Sequence, residues 1–216
     1  MNLVLPAGPL TVLCLGAHPD DIEIGCGGTI LTLAATGRVT ATHVLLTGSP
    51  KRQHEARSAA ELFWAGAPQP PEVVCNDLPD GRLPGSWDRV KQFLEEVASN
   101  ASPDLILAPR ADDAHQDHRL IAQLVPTVWR NSLLLHYEIP KWDGDRFPVT
   151  HFIPVTPDLA MRKVRLLDEA YGSQRHHDWW DEETFLGLMR LRGVECRARY
   201  AEGFVSAKTL VSINHD

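Results

Sequence analysis

Short apolar runs that alternate with helical periodicity leave a chain few folds to choose from, and much of this sequence alternates in that way. Leu10-Thr-Val-Leu-Cys-Leu-Gly-Ala17 is rich in strand formers and closes on two small residues, the pattern of a strand buried on both faces of a parallel sheet. Gly27 to Gly37 then has apolar residues at helical spacing and a closing Gly that reads as a helix C-cap. Val39 to Thr47 returns as a strand, Arg52 to Gly66 is an Ala-rich helix ended by Gly, and Glu72 to Cys75 is a short strand. Turn residues fill Pro79 to Gly85, and Trp87 to Ala98 has a helical period. Pro103 to Pro109 reads as a strand, His118 to Trp129 as a helix, and Met161 to Tyr171 as another. After about residue 136 the periodicity is poor, and Tyr137 to Trp142 and Pro148 to Pro157 read as extended or irregular chain. The alternation predicts an α/β, Rossmann-like single domain over 1–216, a mostly parallel sheet with helices on both faces. Its more variable part, after about residue 136, is expected to shape the substrate site.

Composition narrows the class. A chain of 216 residues, 44% hydrophobic and 23% charged, has enough apolar material to bury roughly 70% of its unfolded surface in one core. Its 21 basic against 28 acidic residues give a net charge of −7, so neither nucleic acid nor an anionic membrane is an expected partner. Cys14, Cys26, Cys75 and Cys196 have no CxxC spacing, which predicts reduced thiols rather than a disulfide framework or thiolate zinc site. Met1 to Pro6 lacks a basic leader region and no run approaches ~18 apolar residues, so the expected location is the cytoplasm. The expected partner is a small molecule; homo-oligomerisation is left open.

Chemistry concentrates where the first and later strands end. Ala17-His-Pro-Asp-Asp-Ile-Glu places one His, two adjacent Asp and a Glu directly after a strand, and Asp112-Asp-Ala-His-Gln-Asp-His118 repeats the His/Asp density after another. Parallel sheets bind ligands at the carboxyl ends of strands, so the two clusters can meet. A catalytic zinc site takes three N/O ligands and keeps an open position, and His18, Asp21 and His118 supply such a set. Asp20 and Asp21 point in different directions on an extended loop, so one carboxylate binds metal and the other is left to accept a proton. Gly25, Gly27 and Gly28 are expected to turn the backbone tightly into the following helix. A nucleotide-binding Rossmann site is disfavoured, because Gly25-Cys-Gly-Gly is out of the GxGxxG register and the carboxylates fall where a pyrophosphate would sit.

These motifs resemble those of the LmbE-like, or PIG-L, family of zinc-dependent N-deacetylases, which includes the deacetylases of mycothiol and bacillithiol synthesis. The resemblance is carried by Ala17-His-Pro-Asp-Asp with its following Glu and Gly-rich segment, and by His115-Gln-Asp-His118 as a His-x-Asp-His motif. Arg52-Gln-His-Glu-Ala resembles the family's Arg-x-x-Glu-Ala helix, and Tyr171 to Gln174 and Tyr200 to Phe204 resemble its weaker carboxyl-terminal features. Gln116 departs from a common Pro, and Phe63-Trp64 from a small or Gly-containing helix end.

The resemblance implies that His18, Asp21 and His118 hold Zn2+, or another divalent metal such as Fe2+, and that Asp20 is the general base. It further implies that His115, as imidazolium, stabilises the tetrahedral intermediate or protonates the leaving amine, oriented by Asp117 or Asp113. Arg52 falls where the family places a positive charge near the acyl oxygen. The implied activity removes an N-acyl, foremost N-acetyl, group from an amino sugar or amino-sugar-containing metabolite. A non-sugar N-acyl intermediate of secondary metabolism, or a non-catalytic metal- or ligand-binding homologue, is the alternative. Tyr137 and Trp142 are aromatic candidates for the substrate pocket, with core packing as the competing role. His176-His177 and Trp179-Trp180 are open between a metal site, a stacking platform and packing, and Glu23 is a candidate organiser of the first loop.

Overall fold

The computed structural model describes residues 4–210. Its centre is a seven-stranded sheet of order β3-β2-β1-β4-β5-β7-β6. The strands are β1 (Leu10–Gly16), β2 (Val39–Thr47), β3 (Glu72–Leu78), β4 (Leu105–Pro109), β5 (Leu133–Tyr137), β6 (His151–Val155) and β7 (Tyr200–Val205). The first five run parallel, whereas β7 is antiparallel to β5 and β6 antiparallel to β7. The mostly parallel α/β architecture follows from the apolar runs: β1 and β4 are buried along nearly their whole length, as strands covered on both faces must be.

Two helical layers cover the sheet. On one face, α1 (Asp21–Ala34), α2 (Pro50–Phe63) and α5 (Pro157–Ala170) enclose a core that contains Ile22, Ile30, Phe63, Trp64 and Tyr171. On the other, α3 (Trp87–Asn100) and α4 (Gln116–Val128) pack Val90, Leu94, Ile121 and Val125 against Leu13, Leu15 and Ile106. A last helix, α6 (Glu182–Glu195), lies against β7 and α5. The core extends through the motif departures, since Phe63 and Trp64 are both buried and the Trp64 indole N–H donates to His43 Nε2 at 2.8 Å.

Several boundaries differ from the sequence reading. The first helix starts at Asp21, six residues earlier than expected, so its three glycines lie within it, flanking a kink at Cys26, rather than in a turn that leads into it. They serve close packing instead: a Cβ on Gly25 would stand 2.2 Å from the Tyr137 ring, and one on Gly28 2.9 Å from Val155. The segment after about residue 136, read as extended or irregular chain, contains β6, with α6 and β7 beyond it, and β5 ends where that segment begins. All four cysteines are free thiols, and among the described residues no helix is long and apolar enough to cross a membrane.

Candidate active site

In the sheet, β1 is flanked by β2 on one side and β4 on the other, so the chain's connections leave β1 and β4 in opposite directions. This is the switch point at which open α/β sheets form a crevice. The His-Pro-Asp-Asp loop follows β1 and the second His/Asp cluster follows β4, so adjacent strands deliver both to that crevice.

The first loop is tightly fixed. Thr47 donates to the Ala17 carbonyl with its backbone N–H at 3.0 Å and its hydroxyl at 2.7 Å, and the His18 N–H donates to Asp21 Oδ2 at 2.8 Å. Asp20, at the helix N-cap, has φ of +106°, an uncommon conformation for a residue with a side chain and one that Asp tolerates better than most. The bend turns its carboxylate away from Asp21 and toward Arg52, whose Nη2 donates to Asp20 Oδ2 at 2.8 Å and to the Pro19 carbonyl at 2.5 Å. Arg52 is delivered by the first turn of α2, capped by Ser49.

Three donor atoms converge beside this bend. His18 Nδ1 lies 3.3 Å from Asp21 Oδ2 and 3.2 Å from His118 Nε2, and His118 Nε2 lies 3.2 Å from Asp21 Oδ2. Neighbouring ligands of a tetrahedral ion with bonds of about 2.0–2.1 Å stand about 3.3 Å apart, so this spacing fits a divalent cation. The far nitrogens of both imidazoles meet carboxylates, His18 Nε2 with Asp80 Oδ1 at 3.0 Å and His118 Nδ1 with Asp113 Oδ2 at 3.0 Å, the arrangement that fixes ligand tautomers in metal sites. Ring nitrogens of His18, His115 and His118 also lie within 4.8 Å of one another.

The electrostatics follow from this packing. Burial alone would lower both imidazoles, yet the carboxylates outweigh it and push His18 up to about 12 and His118 up to about 9. Burial would raise Asp21, but His118 and His18 hold it well below the usual carboxylate range. Asp20 moves the other way: burial raises it and the neighbouring Asp21 adds to the rise, only partly countered by Arg52.

His115 corrects two expectations. It is the N-cap of α4, and its Nδ1 accepts the Asp117 backbone N–H at 3.2 Å, so a neutral ring carries its proton on Nε2. Burial and the charges of His118 and His18 lower its pKa, which opposes the imidazolium expected from the sequence. Neither carboxylate orients its ring. Asp113 Oδ1 accepts the His115 backbone N–H at 2.7 Å, and the fully buried Asp117 accepts the N–H groups of Gly81 and Leu83 at 2.8 and 3.1 Å. Asp117 thus clamps the loop after β3, together with the Gln116 amide that donates to the Gly81 carbonyl at 3.0 Å. That clamp brings in Asp80, a site residue the sequence reading missed; its only signal was a turn-rich Pro79-Asp-Gly.

Tyr137 is not a pocket residue. It is fully buried, its ring lies over Gly25, and its hydroxyl donates to the Leu15 carbonyl at 2.6 Å. Trp142 is exposed and its indole N–H donates to Asp178 Oδ1 at 2.8 Å. Glu23 is buried, accepts the Tyr171 hydroxyl at 2.6 Å and lies 3.4 Å from His43 Nδ1. Trp180 packs in the core against Tyr171 and Phe185.

Comparison with known proteins identifies the family. The family model PIG-L, described as GlcNAc-PI de-N-acetylase, matches residues 13–129, which hold both His/Asp clusters and Arg52. The chain belongs to the PIG-L family. PIG-L proteins are de-N-acetylases, enzymes that hydrolyse N-acetyl amides. One similar PIG-L relative is the uncharacterized deacetylase YaiS of Escherichia coli K12, 30% identical over 142 residues, 60% of this chain and 74% of that protein. Another is the diacetylchitobiose deacetylase of Thermococcus kodakarensis, 26% identical over 227 aligned positions, with 89% of this chain and 81% of that protein covered. The PIG-L fold is also seen in an N,N'-diacetylchitobiose deacetylase of Pyrococcus horikoshii, with a TM-score of 0.71 at 23% identity over 91% of this chain and 83% of that one.

Proposed function

We propose that the chain is a zinc-dependent hydrolase that removes the N-acetyl group of an amino sugar or an amino-sugar-containing metabolite. The observation that carries this reading is the 3.2–3.3 Å triangle of His18 Nδ1, Asp21 Oδ2 and His118 Nε2 beside the separately held carboxylate of Asp20. Two neutral imidazoles and one carboxylate suit Zn2+, and Fe2+ is the alternative ion. A divalent cation held there by His18, Asp21 and His118 would polarise an acyl oxygen and lower the pKa of a nearby water. The sugar assignment rests on the names of the diacetylchitobiose deacetylases to which the chain is similar.

The chain's own groups divide the remaining work. Asp20 Oδ2 is occupied by Arg52, which leaves Oδ1 to take a proton from the attacking water. Arg52 acts here as a positioning residue for that base, its second bond to the Pro19 carbonyl holding the bend in place. His115 presents an N–H at Nε2, able to donate to the developing oxyanion or to the departing amine. Water and the amide become acetate and a free amine, with the proton taken by Asp20 returned to nitrogen. Asp113 and Asp80 steady the two imidazoles.

The test is release of free amine from N-acetylglucosamine and N,N'-diacetylchitobiose by the zinc-loaded protein, with metal content measured in parallel. Asp20→Asn is expected to retain metal and lose roughly 10²- to 10⁴-fold in rate, the usual consequence of removing a general base. His118→Ala should lose the metal itself. Full metal retention in His118→Ala, or near-normal turnover in metal-replete Asp20→Asn, counts against the assignment.

A further inference from the structure

The β4–α4 loop carries Asp113, whose Oδ2 lies 3.0 Å from Nδ1 of the proposed metal ligand His118. The cation that meets this carboxylate comes from a distant part of the chain. Lys141, in the segment after β5, places its Nζ 3.0 Å from Asp113 Oδ1 and 2.6 Å from Asp145 Oδ2, so one ammonium serves two carboxylates. All three side chains are largely buried, and that of Lys141 is only 11% exposed. Burying a lysine to this extent costs free energy unless its charge is closely paired, and the two carboxylates supply that pairing.

Other bonds fix the backbone on both sides of this contact. Arg119 Nη1 donates to the Asp113 and Ala114 carbonyls at 2.8 and 2.5 Å, and Asp113 Oδ1 accepts the His115 N–H at 2.7 Å. Arg110 donates to the Phe147 and Pro148 carbonyls at 3.3 and 3.4 Å, and Asp145 accepts the Ala114 N–H at 2.7 Å. These bonds set the path of both segments without the lysine. What Lys141 adds is specific to one side chain: it engages Oδ1 of Asp113 and leaves Oδ2 as the oxygen that faces His118.

We propose that Lys141 is a positioning residue for the metal centre: it holds Asp113 against His118 Nδ1, fixes the ring orientation in which His118 Nε2 faces the ion, and so raises the chain's affinity for that ion. The inference rests on the metal site of the proposed hydrolase. An imidazole whose second nitrogen is held by a carboxylate is preset as a ligand, and loss of such an outer partner typically costs about 10- to 100-fold in metal affinity or activity. Charge acts in the opposite direction, because the Lys141 ammonium repels a dication while its partner Asp145 attracts one. Removing Lys141 alone would mix lost positioning with lost repulsion. Removing Lys141 and Asp145 together leaves the net charge unchanged and isolates the positioning effect.

The experiment measures the zinc Kd by competition between metal-free protein and a chromogenic chelator, so it reads binding and not turnover. Lys141→Met with Asp145→Asn is expected to raise Kd about tenfold, and Lys141→Arg, which keeps the cation, to stay within about threefold of wild type. Asp113→Asn should raise Kd by a similar factor, and adding the paired replacement to it should change nothing further, since the lysine acts through Asp113. A merely structural role would lower the Tm of the metal-free protein and leave this non-additivity absent. Lys141→Ala with Asp145→Asn gives the same reading should the methionine variant fail to fold. An unchanged Kd in the charge-conserving pair, or a further rise when the pair is added to Asp113→Asn, would overturn the inference and leave the metal site standing. Zinc binding that is absent from wild type, or undiminished in His118→Ala, would overturn the metal site and the inference with it.

Discussion

His43 shows how much of the chemistry near the site is set by single buried groups. Its Nε2 accepts the Trp64 N–H, so its proton stays on Nδ1, which lies 3.4 Å from Glu23 Oε1. Burial holds its pKa down to about 3 against an ordinary 6.5, so between those values the unfolded chain binds a proton that the folded chain does not. Stability therefore falls as pH drops from 6.5 toward 3, at a slope of up to about 1.4 kcal/mol per pH unit. Glu23 works in the opposite sense, because burial raises it to about 8 and its stabilising effect is lost as pH rises from 4.5 through that value. His43→Gln keeps an acceptor for Trp64 and removes only the first slope, leaving that of Glu23 unopposed, so its denaturant-measured stability should rise relative to wild type as pH falls from 6.5 to 5. An equal change in both proteins would mean that His43 is charged in the fold. Single residues also divide what could be read in advance from what could not. His18, Asp20, Asp21 and His118 are legible because they sit in two contiguous motifs at strand ends, whereas Asp80 reaches His18 only because Asp117 and Gln116 draw its loop in. Tyr137 has the same composition signal as a pocket aromatic, and only its bond to the Leu15 carbonyl reveals a core role.

Among the elements, α1 has the least ordinary construction. Cys26 leaves helical geometry at φ −141° and ψ 21°, and the groups that a continuous helix would pair are captured by a buried ion pair. Glu202 accepts the N–H groups of Gly28 and Thr29 at 2.8 and 2.7 Å, Lys163 donates to the Ile24 carbonyl at 2.6 Å, and the two side chains meet at 2.7 Å. Glu202→Ala should therefore cost about 3–5 kcal/mol in a denaturation experiment, because it strands a buried ammonium and two amides. Replacing both partners with apolar residues often restores stability when an ion pair stands alone. Here Lys163→Met with Glu202→Leu should not recover it, since the broken helix would keep unpartnered backbone groups; recovery to wild-type stability would show that the kink is self-sufficient. This kink explains why the glycines looked like a turn in the sequence. The other misread elements have their own causes. In α6 the helical pattern is inverted, with Leu191 and Val194 exposed and Arg192 buried against Glu138 at 2.6 and 2.7 Å. In β6, Pro154 interrupts a five-residue strand that is tolerated because it lies at the sheet edge.

At the scale of the whole molecule, the parallel strands β1 to β4 were legible, whereas β5 and the antiparallel β6 and β7 were not. Strands buried on both faces need continuous apolar runs, which β1, β2 and β4 have, whereas β6 at the edge is only partly buried and has no such run. The same division separates the ends of β1 and β4, which hold the proposed metal site, from the segments after β5 and α5, which are placed by side-chain hydrogen bonds rather than by periodicity. A cation held by His18, Asp21 and His118 would join the β1–α1 unit to the β4–α4 unit, residues about one hundred positions apart along the chain. Binding only to the folded form stabilises it by RT ln(1 + [L]/Kd), about 4 kcal/mol at a thousandfold excess over Kd. For a domain of this size each kcal/mol raises Tm by about 2–4 °C, so adding zinc to chelated protein should raise Tm by roughly 10 °C. His118→Ala should show little of that rise, because one strand end would no longer reach the ion. Asp20→Asn should keep it, because the base lies outside the donor triangle. A rise that survives loss of His118 but disappears in Asp20→Asn would exchange the two roles and place the ion on the other carboxylate.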